Sequence, residues 1–170
     1  MPFTIRQLKP EDWVVFKAIR LKALLTDPSV FSSDYQKEKL ITDTGWREWL
    51  EDRRNAVFGI FDGDRPVGMT GIMIDREDAS GKGAKLWGSW LEPSIRGQGL
   101  SVMMYEARID WARNHPVVEK VYVSHRESNL RSRNSNQKHG FVFKSRREQT
   151  WPDKTVEDEV YYELPVKPTP

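Results

Sequence analysis

The sequence predicts one α/β domain with a mixed central sheet and helices on both of its faces. Segments that alternate apolar and polar residues, typical of half-buried strands, are interspersed with segments of helical periodicity. Strands in the first half are separated by hairpin-length links, whereas a helix joins two later strands, which predicts that this later pair is parallel. The domain is predicted to span 1–164, with an extended C-terminal tail at 165–170, because no repeat or linker divides the 170 residues.

The first half of the chain predicts a strand, two helices and a hairpin. "FTIRQL" alternates as a strand does, and "EDWVVFKAIRLKALL" places Phe16, Ile19 and Ala23 on one helical face. "DTGWREWLEDRR" predicts a second, short helix with an apolar side. Two β-rich runs then flank Asp62 and Gly63, a dipeptide that favours a tight hairpin turn.

The second half predicts four strands and two helices. "AKLWGSWL" is a strand that ends before Pro93. An amphipathic helix that stops near His115 and Pro116 is predicted by the apolar spacing of Leu100, Met103, Met104, Ala107 and Trp111. "VVEKVYVS" is the next strand, "NLRSRNSNQKHG" is a polar helix closed by Gly140, and "FVFKS" and "EVYYEL" are a final pair of strands. The predicted order is therefore β-α-α-β-β-β-α-β-α-β-β.

The composition excludes several classes of protein. Hydrophobic residues make up 38% and charged residues 31% of the chain, which is typical of a soluble globular protein rather than a disordered one. No apolar run has the length of a membrane span, and charges precede any apolar stretch at the N-terminus, so we expect no membrane association and a cytoplasmic location. The chain has no cysteine and three histidines, so we expect no disulfide, no cysteine nucleophile and no metal site.

Basic residues are concentrated between Arg126 and Arg147, where seven of them accompany one acid, Glu127. Such a run is either a solvated face or a local anion-binding site. It does not indicate a nucleic-acid-binding protein, because 27 basic residues balance 25 acidic ones overall and the two aromatic residues of the run, Phe141 and Phe143, belong to the predicted strand "FVFKS". We therefore expect no nucleic-acid partner.

The stretch "EPSIRGQGLS", Glu92 to Ser101, has two glycines where a strand is predicted to meet a helix. Glycines at this position leave space beside the unpaired N–H groups of the first helical turn, and the helix dipole favours an anion there. A simple turn is the alternative. The pattern lacks the Gly-Lys-Ser/Thr ending of a P-loop and the third glycine of a dinucleotide-binding fingerprint.

The same stretch resembles the acyl-CoA loop of the GNAT superfamily of N-acetyltransferases. Leu91-Glu92-Pro93 is similar to the apolar-x-Pro triplet that ends the preceding strand of that family, and "RGQGLS" is similar to its Arg/Gln-x-x-Gly-x-Gly/Ala loop, with Ser101 at the last position. "NLRSRNSNQKHGF" resembles the family's next block, and "RLKALLTDPSVFSSDY" is similar to a subgroup of bacterial members. The resemblance covers most of residues 3–164 and implies the family's fold.

The resemblance also implies a binding site for acetyl-CoA as cofactor. Two parallel strands would separate after Leu91, and the pantetheine arm would lie in the gap. The basic run beginning at Arg126 would lie near the adenosine 3′-phosphate. The residues implied to bind the cofactor are Trp90, Leu91, Arg96, Gly97, Gln98, Gly99, Leu100, Ser101, Asn129 and Ser132.

The implied reaction is direct transfer of acetyl from acetyl-CoA to an amine, without an acyl-enzyme. The family commonly has a tyrosine near the sulfur as general acid, and that position is Asn136 here, whose amide can donate only a hydrogen bond. Other hydroxyls that could act as the acid belong to Tyr105, Tyr161 and Tyr162. His125, which follows Ser124 at the end of a strand, is the candidate base, acting through a water molecule; the alternative is a histidine that is exposed or serves only in packing.

The acceptor is not predicted by the sequence. An amino acid, a polyamine, an antibiotic-like amine and a protein N-terminus are all open, and the resemblance is compatible with a homodimer. Phe31, Tyr35 and either Trp87 or Trp90 would suit an acceptor with an apolar part; the odd spacing of the two tryptophans predicts that they face opposite sides of the strand. Because of Asn136, an acyl-CoA-binding sensor with little turnover is the alternative function.

Overall fold

Seven strands form one mixed sheet in the order β1-β2-β3-β4-β5-β7-β6. The computed structural model describes residues 2–168. Only the pair β4–β5 is parallel, as the sequence predicts, and every other neighbouring pair is antiparallel. The strands are β1 Phe3–Gln7, β2 Asn55–Asp62, β3 Arg65–Ile74, β4 Gly83–Leu91, β5 Lys120–Arg126, β6 Val142–Thr150 and β7 Val156–Pro165.

Within residues 2–168, five α-helices cover the two faces of this sheet. The helices are α1 Trp13–Thr26, α2 Tyr35–Glu38, α3 Asp43–Glu51, α4 Ser101–Asn114 and α5 Leu130–Lys138. α1 and α3 pack on one face, where Phe16, Trp46, Val57 and Met69 are fully buried. α4 packs on the other face against a second core that includes Ile72.

Local signals account for most of the element boundaries. The β2–β3 hairpin turns at Gly63, which has a φ of +61°, as the dipeptide predicts. Asn129 caps α5 by accepting a hydrogen bond from the Ser132 N–H, and Gly140 follows the helix with a φ of +90°.

Two features differ from the predicted organisation. The one-turn helix α2 lies between the two predicted N-terminal helices, where Asp34 caps it; four residues are too few to show a helical period. The ordered fold also extends past residue 164, because Pro165 ends β7 and Val166 is buried, with its N–H bonded to the Glu119 carbonyl. Residues 169–170 of the predicted tail lie outside the described residues.

Within residues 2–168, no helix combines the length and the apolar character that crossing a membrane requires.

Candidate functional site

A cleft of 840 Å³ opens between β4 and β5. The two strands pair only where Gly83–Lys85 meets Lys120–Tyr122, although β4 continues to Leu91 and β5 to Arg126. The edge of β4 that faces β5 therefore has no strand partner beyond Lys85. Such an edge can hydrogen-bond an extended ligand in the way that a further strand would.

The N-terminus of α4 lies at one end of this cleft. Gly97 and Gly99 have φ angles of +80° and +76°, and a Cβ added to either would meet no atom within 4 Å. Leu100 precedes the 14-residue helix without a side-chain cap. Open backbone beside uncapped first-turn N–H groups fits a phosphate group, because the donors point outward and the helix dipole attracts an anion.

Arg96 holds this loop against the end of α1. Its guanidinium donates to an Asp27 carboxylate oxygen at 2.6 Å and to the Leu91 carbonyl at 2.9 Å, and the same carboxylate accepts from Trp90 Nε1 at 2.7 Å. Burial acts to raise the pKa of Asp27, but the hydrogen bonds from Arg96 and Trp90 outweigh it and lower that pKa. Sequence reasoning missed Asp27, which lies 69 residues from Arg96 along the chain.

A β-bulge at Gly88 shapes the middle of β4. The four residues of β4 from Trp87 to Trp90 lie opposite only three residues of β3, from Gly71 to Met69, so β4 has one extra residue in this interval. Gly88 has a φ of +64°. The bulge turns both tryptophans toward the α1 side of the sheet, where they pack in one cluster. The prediction that Trp87 and Trp90 face opposite sides was therefore wrong, because it assumed an unbroken period of two.

The bulge also presents Ser89 to the cleft. Ser89 is exposed, and its Oγ lies 2.7 Å from Thr70 Oγ1 and accepts from Arg108 Nη1 at 3.0 Å. Arg108 is 2% exposed, bonds the Met104 carbonyl through Nε and stacks over the Tyr105 ring. Burial lowers the pKa of Arg108 to about 10. Sequence reasoning missed Thr70, Ser89 and Arg108.

The polar helix α5 forms the opposite wall. Asn129 and Ser132 line the cleft. Asn136 does not line the cleft: its side chain is fully buried, and neither amide atom has a hydrogen-bond partner in the described part of the chain. Gln98 also lies outside the lining, whereas the other predicted cofactor-binding residues are all part of it.

His125 lines the cleft from β5. Its Nδ1 lies 2.7 Å from the Arg126 carbonyl, which can only accept, so Nδ1 carries a proton. Nε2 is buried and has no hydrogen-bond partner among residues 2–168. Burial lowers the pKa of His125, and the ring is therefore neutral at pH 7, with Nε2 able to accept a proton.

Some of the other candidate residues line the cleft, and others lie next to it. Tyr105 lines the cleft, and burial raises its pKa. Tyr162 is buried and stacks on the His125 ring. Tyr161 lies outside the cleft, on a recess of 480 Å³ beyond β5, where burial raises its pKa to about 12. Ser124 lines both spaces and donates to the buried Glu159 carboxylate at 2.6 Å.

The basic run is largely ion-paired. Arg126 donates to Asp153 at 3.0 Å and to the Ser29 carbonyl, so it ties β5 to neighbouring loops. The three basic residues of β6 lie within 4.0 Å of carboxylates, in the pairs Lys144–Glu163, Arg146–Glu127 and Arg147–Glu159. Arg131, in the first turn of α5, is the exposed member of the run that lines the cleft.

On the α1 side, the cleft reaches Phe31 and Trp87. Tyr35 does not line it. The Arg20 guanidinium lies over the rings of Phe31 and Trp87. It donates two hydrogen bonds to the buried Glu38 carboxylate, at 2.8 and 2.7 Å. This part of the cleft is therefore aromatic and firmly supported.

Known proteins share this sequence pattern and fold. The sequence model described as the acetyltransferase (GNAT) family matches residues 19–141. No curated protein matches the chain. The structure of an acetyltransferase of the GNAT family from Streptococcus pneumoniae has a TM-score of 0.83 at 19% identity, covering 98% of this chain and 100% of that one.

Two further structures are similar over nearly the whole chain. The structure of yncA from Salmonella typhimurium with its cofactor acetyl-CoA has a TM-score of 0.82 at 16% identity, covering 100% of this chain and 97% of that one. An N-acetyltransferase from Staphylococcus aureus Mu50 has a TM-score of 0.80 at 19% identity, covering 98% and 100%. At these identities the structural likeness shows the fold alone.

Proposed function

The chain belongs to the GNAT family of acetyltransferases, and from that membership we propose that it transfers acetyl from acetyl-CoA to a primary amine. The amine belongs to a small molecule or to a protein N-terminus. The observation that carries the proposal is the unpaired edge of β4, which lies beside the uncapped N-terminus of α4. Together they offer one continuous cleft for a ligand with an extended arm and a phosphate group.

Different residues of this cleft are proposed to bind different parts of the cofactor. Gly97, Gly99 and the first turn of α4 hold the pyrophosphate, and the free edge of β4 pairs with the pantetheine arm. Asn129 and Ser132 flank the arm from α5, and the exposed Arg131 meets the adenosine 3′-phosphate. Bound acetyl-CoA supplies the thioester from which the acetyl group is transferred.

His125 is the proposed base, because its ring is neutral and its buried Nε2 has an unused lone pair that can accept the proton of the incoming amine through a water molecule. A backbone N–H on the free edge of β4 donates to the acetyl carbonyl oxygen, an interaction worth about a hundredfold in rate. The aromatic end of the cleft at Phe31 and Trp87 suits an acceptor with an apolar part.

Transfer is proposed to be direct, since the chain has no cysteine to carry the acetyl group. Incubation with acetyl-CoA alone, followed by intact-protein mass measurement, should therefore detect no acetylated enzyme that a later addition of amine discharges. A discharged acetyl-enzyme would contradict direct attack.

Calorimetric titration with acetyl-CoA and CoA tests the binding site. We expect a dissociation constant on the order of micromolar for the wild type and no binding by Gly99→Glu, which places a side chain and a negative charge in the phosphate nest. Gly63→Glu is the matched control, because Gly63 also has a positive φ and open space around it but lies on the β2–β3 hairpin. Equal binding by the wild type and Gly99→Glu would reject the phosphate role of the loop.

A panel of amines then identifies the acceptor. Amino acids, polyamines and peptides with a free N-terminus are mixed with acetyl-CoA, and release of the CoA thiol is followed together with the mass of the product. CoA binding without transfer to any amine would support the alternative of an acyl-CoA-binding sensor.

A further inference from the structure

Ser89 is held in the cleft by two buried side chains. Its Oγ lies 2.7 Å from Thr70 Oγ1 and 3.0 Å from Arg108 Nη1. Thr70 is fully buried and Arg108 is 2% exposed, whereas Ser89 itself is exposed in the cleft. The hydroxyl is therefore fixed from behind and open in front.

The donors and acceptors around Ser89 determine where its hydroxyl proton points. A serine hydroxyl has one proton and two lone pairs, and a guanidinium can only donate, so Arg108 takes one lone pair of Ser89. Ser89 is the partner found for Thr70 Oγ1 among residues 2–168. If Ser89 donated to Thr70, the buried threonine proton would have no acceptor, which is costly. Thr70 therefore donates, both lone pairs of Ser89 are used, and its proton points into the cleft.

The positive charge of Arg108 acts in addition to its hydrogen bond with Ser89. Among the described residues, no carboxylate lies within 4.0 Å of its guanidinium, which bonds the Met104 carbonyl and Ser89 instead. Arg20, the other buried arginine, is paired with Glu38. A buried cation without a counter-ion favours negative charge that develops nearby.

We propose that the Ser89 hydroxyl, held by Arg108 and Thr70, donates a hydrogen bond to the coenzyme sulfur and stabilises it as a thiolate. The inference rests on the proposed function. As the nitrogen–carbon bond to the acceptor forms, the carbon–sulfur bond breaks and its electron pair goes to sulfur. Ser89 keeps its proton and shares it, and the proton of the amine leaves through His125. Asn136, at the family's tyrosine position, lies outside the cleft lining and does not serve this role.

The test measures the pKa of the CoA thiol in its complex with the protein, from the ultraviolet absorbance of the thiolate as pH is raised. The readout needs no acceptor amine. We expect the wild type to lower this pKa below that of free CoA, and Ser89→Ala to raise it again by about one unit, a tenfold change in ionisation. Arg108→Met should raise it by at least as much, and Thr70→Val by less, since Thr70 only orients the hydroxyl.

Matched controls separate this role from general damage. Ser145→Ala removes an exposed strand serine on β6, and Arg113→Met removes an exposed arginine of α4; both should leave the thiol pKa at the wild-type value. Ser89→Thr keeps the hydroxyl and should retain the low pKa. The affinity for desulfo-CoA, which lacks the thiol, should be the same in wild type and Ser89→Ala.

Each other outcome overturns the inference. An unchanged thiol pKa in Ser89→Ala, with normal CoA binding, removes Ser89 from the chemistry. A shift in Arg108→Met but not in Ser89→Ala assigns the effect to the cation alone. An equal loss of affinity for CoA and desulfo-CoA in Ser89→Ala makes Ser89 a general binding residue. Failure of the wild type to bind CoA at all would overturn the proposed function as well, so the two failures are distinguishable.

Other titratable groups facing the cleft are present in every variant, and they are Asp27, Arg96, Tyr105, His125, Arg126 and Arg131.

Discussion

Substitution of Gly88 by alanine tests the bulge that organises the cleft. Gly88 has a φ of +64°, and an added Cβ would lie 3.2 Å from Met69 Cε and 3.3 Å from Arg20 Nη1. Gly63 has a φ of +61°, but an added Cβ there would meet no atom within 4 Å. Gly63→Ala therefore reports backbone strain alone, whereas Gly88→Ala reports strain together with crowding.

The magnitudes follow from the two environments. The left-handed conformation costs an alanine about 1–2 kcal/mol. The lower conformational entropy of the unfolded alanine variant offsets about 0.4–1 kcal/mol of this cost, so Gly63→Ala should lower the free energy of unfolding by about 1 kcal/mol. Crowding adds about 1 kcal/mol at Gly88, because the Arg20 guanidinium is held by two bonds to Glu38 and cannot move away freely.

Urea denaturation of both variants measures the difference, and thermal melts should show Gly88→Ala about 2–4 °C below Gly63→Ala. CoA affinity should fall only in Gly88→Ala, because only that change disturbs the edge of β4 in the cleft. Equal stability of the two variants, with unchanged CoA affinity in both, would refute the assigned role of the bulge.

Three further predictions concern buried or half-buried ionisable groups. Glu38→Leu should lower the free energy of unfolding by about 3–5 kcal/mol in urea denaturation, because it leaves the Arg20 guanidinium without its carboxylate; a double variant with Arg20→Met should recover most of the loss, and no recovery would count against the pair. Asp27→Asn should weaken CoA binding about fivefold in calorimetry, since a half-exposed ion pair that positions Arg96 is worth about 1 kcal/mol; unchanged affinity would show that the loop needs no such anchor. Because the pKa of His125 is lowered in the fold, the unfolded chain binds more protons between that pKa and 6.5, and stability should rise with pH through this window; His125→Gln should flatten the rise measured between pH 5 and 7, and identical slopes would contradict the buried neutral state.

The fold was predictable because its signals are local. Helix α4 was expected from near Leu100 to His115 and spans Ser101–Asn114, since a glycine loop precedes it and Pro116 follows it. The parallel pair β4–β5 was expected from the helix that joins the two strands and is confirmed.

The buried face of α4 was predicted less well. The apolar pattern selected Leu100, Met103, Met104, Ala107 and Trp111, which all pack against the core, although only Leu100 and Met104 of this set are buried. The buried residues within the helix are Met104, Tyr105, Arg108, Ile109 and Ala112. The two sets differ by a rotation of about one residue. The pattern excluded Arg108 because arginine is rarely fully buried. Its bond to the Met104 carbonyl lies within one turn of α4, but its other partner, Ser89, belongs to β4, and the helical period contains no information about that contact.

The glycines in the cleft differ in how much of their surroundings the sequence predicts. Gly97 and Gly99 stand in a polar loop before a helix, so open backbone beside the first helical turn could be predicted from neighbouring residues alone. Gly88 stands inside a β-rich run, and the sequence indicates only that another chain can approach there. Its bulge becomes visible when the register with β3 is known, and that register determines the direction of every side chain from Trp87 to Trp90. Two large apolar residues at odd spacing around a glycine in a strand therefore indicate a β-bulge that places both side chains on the core side. The free energy gained by burying two tryptophans outweighs the loss of one pairing between the strands. By that rule the serine between them belongs to the opposite face, which here is the cleft.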